Sequence, residues 1–226
     1  MLIQNRFNYN KLSRETIDGK RHYCLPDGSK VASVTTILDR TMSKEKVEGL
    51  QAWRNRIGHD KARTITTEAA GVGTTMHKIL EEFCLGKSKP LGTNLVQKIA
   101  GPMAKTIIDN GLVHLDECWG TEIPIYYPEL YAGTTDLAGV WKKKESIIDF
   151  KQTNKPKKDD WVEDYKIQLA AYATAHNRVH GTNIKQGVIL MCSRDCEFQH
   201  WVIEGAEFEK YVNKWWDKVE QYYAKY

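Results

Sequence analysis

Three β-rich runs follow one another in the middle of the chain, CWGTEIPIYY, LYAGTTDLAGVW and SIIDFKQ, and a long alanine-bearing helical stretch comes soon after them. Runs so close in sequence pair with one another, and helices before and after must cover them, which predicts an α/β fold with a mixed β-sheet flanked by helices. In the third run the strand alternation puts Asp149 and Lys151 on one face and Ile148 and Phe150 on the other. Asp136, in the second run, stands thirteen positions before Asp149. A short hairpin between the two strands brings those carboxylates side by side. Neighbouring carboxylates in an apolar sheet repel unless a cation lies between them, and a hard divalent ion such as Mg²⁺ or Mn²⁺ meets that need. Lys151 on the same face supplies a positive charge where negative charge would develop. A strand-edge ion pair with Asp136 as a turn residue is the plain structural account of the same three residues.

The remaining elements are expected as a hairpin in RHYCLPDGSKVAS and helices near 33–41, 44–58, 68–85 and 94–110. A helix at 159–179, strands at 186–192 and 197–203 and a terminal helix from about 206 follow. The terminal helix carries Phe208, Tyr211, Val212, Trp215, Trp216, Val219 and Tyr222, a core-facing stripe. At 226 residues one domain is expected. Within it, roughly 33–66 form a helical segment, 68–205 the core and 206–226 the terminal helix.

The net charge of +4 is too small to argue for nucleic acid by itself. Its distribution says more. Residues 40–63 hold seven basic side chains (Arg40, Lys44, Lys46, Arg54, Arg56, Lys61, Arg63) against three acidic ones. With Trp53 among them, they suit the phosphates and a stacked base of a single strand, or an ordinary solvated helix. No run approaches the roughly eighteen apolar residues of a membrane span, and the start MLIQNRFNYNKL lacks the apolar stretch of a signal peptide. The five scattered cysteines fit reduced thiols. The Cys192/Cys196 pair, with Cys24 and His200, is a weak ligand set, so no iron–sulfur cluster is expected. A cytoplasmic setting in a bacterial or phage-infected cell is the expectation.

Four motifs occur in order: Gly73 to His77 as G-x-x-x-H, Gly133 to Asp136 as G-x-x-D, Asp149-Phe150-Lys151, and Gln168 to Tyr172 as Q-x-x-x-Y. This ordered set resembles the RecB-like branch of the PD-(D/E)XK nuclease superfamily. Together with the pattern from Gly28 to Leu38, GSKVASVTTIL, it is similar over roughly residues 20–220 to the mitochondrial genome maintenance exonuclease family and its phage relatives. The resemblance implies a restriction-endonuclease-like core. It also implies a metal-dependent exonuclease that prefers single-stranded DNA with a free end and acts in phage or genome DNA processing; a monomer is the expectation.

It further implies that His77, Asp136, Asp149 and the backbone carbonyl of Phe150 bind one or two Mg²⁺ or Mn²⁺ ions, with Asp136, Asp149 and Lys151 catalytic. Gln168 and Tyr172 would line the DNA groove and support the site, Glu122 and Glu81 would stand behind the first ligands or hold a second metal, and Trp53, Arg54 and Arg56 would guide the strand. Such nucleases more often follow the lysine with Thr or Ser, whereas Gln152 intervenes here before Thr153. The Lys155–Lys158 tail reads as a phosphate contact or a solvated loop. Trp161 and Tyr165 continue the Gln168/Tyr172 stripe and read as core packing. A flap or double-strand end nuclease, and a nuclease-fold DNA-binding module without catalysis, are the competing functions.

Overall fold

The computed structural model describes residues 2–87 and 92–226. In chain order the elements are β1 (Leu2–Ile3), β2 (Ser13–Ile17), β3 (Lys20–Cys24), β4 (Lys30–Ser33), α1 (Val34–Arg40), α2 (Lys44–Ile57), α3 (His59–Cys84) and α4 (Leu95–Asn110). After them come β5 (Leu115–Tyr127), β6 (Tyr131–Trp141), β7 (Lys144–Thr153), α5 (Glu163–His180), β8 (Gln186–Ser193), β9 (Phe198–Glu204) and α6 (Gly205–Tyr223). The nine strands form one mixed sheet in which β2-β3-β4-β6-β7-β8-β9 run side by side, while β5 lies along β6 and carries β1 on its far edge.

Alternation sorts the sheet's side chains onto two covered faces. Ala138, Ile147, Ile189 and Met191 pack under α5 and α6, whose Phe208, Tyr211, Trp215, Val219 and Tyr222 form the buried stripe expected of the terminal helix. Leu137, Ile148, Phe150, Val188 and Leu190 pack under α3 and α4. The β6–β7 hairpin is closed by Lys142 (φ 47°) and Lys143 (φ 66°), with Trp141 opposite Lys144. Two consecutive left-handed residues make the tight turn whose twist suits adjoining strands.

What positions the site is a fork in this sheet. One edge of β6 pairs with β5 along its whole length. Its other edge is shared: β4 takes Tyr131 and Ala132, and β7 takes Leu137 to Trp141. From Gly133 to Asp136 that edge has no partner strand. Beyond the last pair, Leu137 opposite Ile148, β7 leaves β6 and follows β8 to Thr153. A cleft therefore opens between the two strands that carry the aspartates.

The elements differ from the sequence reading where the pattern is faint. The helix expected over 68–85 begins at His59, directly after Gly58 (φ 89°), and its first three turns bury only Ala62, so no apolar stripe announces them. β5 begins at Leu115, with irregular register near Glu117 and Gly120 that breaks the alternation. β1 and β2 are almost wholly exposed and carry no buried face to detect. No helix among the described residues is long and apolar enough to cross a membrane.

Candidate active site

The fork gathers groups from both faces of the sheet. Asp136 leans across the gap, and one of its carboxylate oxygens accepts a 2.6 Å hydrogen bond from the Phe150 amide, which has no β6 backbone to bond. A strand residue's amide and carbonyl address the same neighbouring edge, so the Phe150 carbonyl faces the same gap. The other oxygen of Asp136 lies 3.3 Å from His77 Nδ1. His77 reaches in from α3, its ring edge-on to Phe150 with centroids 6.1 Å apart.

Glu122 completes this group from β5. The register places it across from Asp136, between the pairs Thr121–Leu137 and Ile123–Thr135, and its backbone sits at φ 50°. A non-glycine residue there is strained by about 1–3 kcal/mol and persists only where its surroundings enforce it. Ligand atoms of His77, Glu122 and Asp136 all lie within 4.8 Å of one another. Among the described residues this is the one group of three or more such side chains close enough to share an ion. Glu81, by contrast, is paired with Lys78 at 2.9 Å and stands outside it.

Asp149 follows a different arrangement. Its carboxylate is buried, 4% exposed, and forms an ion pair with Lys151. The lysine is held from the α5 side, where Nζ donates to Gln168 Oε1 at 3.4 Å and lies 4.9 Å from the centre of the Tyr165 ring. Gln168 Nε2 in turn donates to Tyr172 Oη at 2.8 Å. A methyl group at Gly133 would stand 2.5 Å from the Tyr172 ring, so the glycine of the G-x-x-D motif is the space into which the tyrosine of the Q-x-x-x-Y motif fits.

The electrostatics are those of crowded anions. Burial pushes the Asp149 carboxyl up to about 6, Asp136 adds to the rise, and Lys151 opposes it. Burial would also raise Asp136, but His77, Lys151 and the Phe150 amide outweigh it and hold that carboxyl below its ordinary value. Glu122 is raised by burial and by Asp136. Burial works against a charged His77 and a charged Lys151. The contact with Asp136 nevertheless keeps the imidazole above its usual value, and Asp149 with Asp136 does the same for the ammonium.

Several residues take places that the sequence did not indicate. Gln152, the departure from the usual lysine–threonine order, donates to the Ala69 carbonyl at 3.2 Å and ties β7 to α3. Tyr165 contacts Lys151 directly; its spacing from Gln168 and Tyr172 was the available signal. Trp161 corrects the expectation of core packing: it is 61% exposed, because it falls in a single 3₁₀ turn, Asp159–Val162, from which only Val162 is buried. Arg54 and Arg56 are exposed on α2, which buries no residue, and Trp53 is half-buried. The first turn of α2 is fixed to the start of α5 by Lys46, 2.9 Å from Asp164 and 3.9 Å from Glu163.

No protein-family model matches the chain. Curated relatives do. The chain is 27% identical over 210 residues to the human protein named mitochondrial genome maintenance exonuclease 1 and 26% identical over 211 residues to the Xenopus tropicalis protein of that name. Each match covers 86% of this chain and 58–59% of the relative, so the chain spans under three fifths of the length of the curated relatives it matches. Over most of its length the chain is thus similar to proteins that bear an exonuclease name. A solved structure from Eubacterium rectale, provisionally described as an exonuclease, overlaps 68% of this chain and 65% of its own at 14% identity and a TM-score of 0.48.

Proposed function

We propose that this chain is a PD-(D/E)XK-like, metal-dependent DNA exonuclease of the RecB-like branch that hydrolyses phosphodiester bonds from a free single-stranded end. The observation that carries the reading is the fork itself. There three converging donors, His77, Glu122 and Asp136, adjoin a buried Asp149–Lys151 pair, all in one cleft.

The donor set fits a divalent ion. Carboxylate oxygens suit Mg²⁺ and Mn²⁺, and an imidazole nitrogen among them favours Mn²⁺ at least as well as Mg²⁺. His77, Glu122 and Asp136 would hold it, with Asp149 and the Phe150 carbonyl bordering the same gap. When bound, such an ion polarises a phosphoryl oxygen and makes a water more acidic. The chain's own groups supply the rest. Lys151 holds a fixed ammonium beside the reacting phosphate, where negative charge grows in the transition state. Asp149 pairs with that ammonium and keeps it in place, and Gln168 and Tyr165 fix its direction. Tyr172, wedged over Gly133, sets Gln168. Basic, exposed α2 with Arg54, Arg56 and half-buried Trp53 would guide the strand, because its start is anchored beside the α5 end that touches Lys151.

The relatives' printed name supports exonuclease chemistry. The test is cleavage of an end-labelled single-stranded oligonucleotide, linear and circular, with Mg²⁺, Mn²⁺ or EDTA. Metal-dependent shortening of the linear strand alone is expected, and none in Lys151→Ala. Cutting of the circle would remove the need for a free end, and binding without cleavage by the wild type would overturn the catalytic reading.

A further inference from the structure

Just beyond the site, β7 runs into the loop Asn154–Lys158, and this loop is held rigidly. Thr153 Oγ1 donates to the Lys155 carbonyl at 2.8 Å. Gln199 of β9 clasps Lys157 twice: its Oε1 accepts from the Lys157 amide at 2.7 Å and its Nε2 donates to the Lys157 carbonyl at 2.9 Å. The next turn is fixed by the Trp161 amide, which donates to the Lys158 carbonyl at 3.1 Å. On the other flank, the Arg194 amide donates to the Thr153 carbonyl at 3.0 Å.

Among the described residues, Lys155, Lys157, Lys158 and Arg194 form no ion pair, although Asp160, Asp195 and Glu197 lie nearby in sequence and Asp159 is already engaged by Lys166. Arg194 Nε is buried without a hydrogen-bond partner. Lys157 is half-buried, and burial alone holds its ammonium below the ordinary lysine value. A buried polar donor without a partner costs about 1–3 kcal/mol, which an incoming anion would relieve. Beside Lys158 stands Trp161, 61% exposed, with Lys158 Nζ 5.9 Å from its ring. One turn further along the same stretch, Tyr165 touches Lys151.

We propose that Lys155, Lys157, Lys158 and Arg194 bind the backbone phosphates of single-stranded nucleic acid immediately outside the cleft, while one unstacked base lies on Trp161. This rests on the nuclease reading above and adds to it the path of the strand. A flat, exposed indole suits any base, because every base has a π-face, and fixed cations beside it suit the phosphates that flank that base. A paired duplex offers no free base face to Trp161, so the surface discriminates single from double strands.

The test is binding of a fluorescein-labelled oligothymidylate, and of a blunt duplex, followed by anisotropy across a salt series with EDTA present to keep the strand intact. Trp161→Ala should weaken oligothymidylate binding about tenfold and duplex binding little, and Trp161→Phe should restore most of the loss. Lys157→Gln and Arg194→Gln should each lower the slope of log K against log salt by about 0.7, the value of one single-strand phosphate. Lys105→Gln, at an exposed pair with Asp109, is the control and should change neither. Circular dichroism confirms that each variant is folded. If Trp161→Ala and the slopes match the wild type while the wild type binds and cleaves, the strand path is wrong and the nuclease reading stands. If the wild type neither binds the strand nor cleaves it with Mg²⁺ or Mn²⁺, both fall together.

Discussion

Two lysines meet the start of α5, Lys166 on the helix itself and Lys151 on β7 against its Tyr165, and both are drawn out of water, yet they are neutralised in opposite ways. Lys166 has a side chain 4% exposed, and its partners lie at the surface: Asp159 at 2.7 Å and Glu207 at 3.2 Å are 65% and 45% exposed. Lys151 is the reverse, 19% exposed, with a partner, Asp149, that is 4% exposed. At the α5–α6 seam two solvated carboxylates balance one buried cation, and the arrangement is a brace. At the fork the withdrawn carboxylates Asp136 and Asp149, with the more exposed Glu122 beside them, outnumber the single permanent cation, Lys151. A buried charge with its balance complete holds structure, whereas a concave site with surplus charge of one sign calls for a ligand of the other.

The largest expected effect breaks the fork. Lys151→Ala and Asp136→Asn should each lower the initial rate on an end-labelled strand by about 10²–10³-fold or more, as loss of a group directed at developing charge does, while the melting temperature hardly falls. Retention of the rate within a few-fold in either variant would place the chemistry elsewhere.

Next in size is the brace. Lys166→Met should cost about 1–3 kcal/mol in urea unfolding, less than the roughly 3–5 kcal/mol of a pair buried on both sides, because Asp159 and Glu207 can return to water. Activity per folded molecule should be unchanged; a variant that kept its stability but lost its rate would erase the distinction between the two lysines.

A neutral buried group sharpens the contrast further. His176, on α5 beyond Tyr172, accepts or donates to Tyr9 Oη at 3.0 Å and Thr182 Oγ1 at 2.8 Å. Burial, His180 and Arg6 hold it down at about 3, against about 6.5 in an unfolded chain. The unfolded state therefore binds more protons between those values, so this group's contribution to stability is complete above about pH 6.5 and is lost as pH falls toward 3. Unfolding free energies at pH 7 and pH 5 should differ by about 1–2 kcal/mol more in the wild type than in His176→Gln, and equal differences would mean that the ring is charged or solvated. The smallest effect belongs to the exposed Lys105–Asp109 pair: Lys105→Gln should cost no more than about 0.5 kcal/mol, with full activity.

The sequence carried the fold wherever a buried face imposed its period. Alternation in β7 put Asp149 with Lys151, and the thirteen-residue spacing anticipated Asp136 beside them. What it did not carry follows from the same cause. No period marks where a strand changes partners, so the fork and the Asp136–Phe150 amide bond were invisible. The turn of the backbone at Glu122 is a local strain with no residue type to announce it, which is why this carboxylate ranked below Asp149 although it converges with His77 and Asp136. The first half of α3 buries almost nothing, and Trp161 shared a helical spacing with buried neighbours while lying in a 3₁₀ turn outside them.

The two-residue turn at Lys142 and Lys143 lies at the far end of the hairpin from every group discussed above, yet it acts as a ruler for the site. Because Trp141 faces Lys144 across it, each later position on β7 is measured off against β6, and the count reaches the fork with Asp149 turned toward α5. A slip of that pairing by one residue would advance the count by one. Asp149 and Lys151 would then point under α3 and α4, and Phe150 would occupy the cleft. The chemistry of this chain is thus specified by a length as much as by its acids and its lysine.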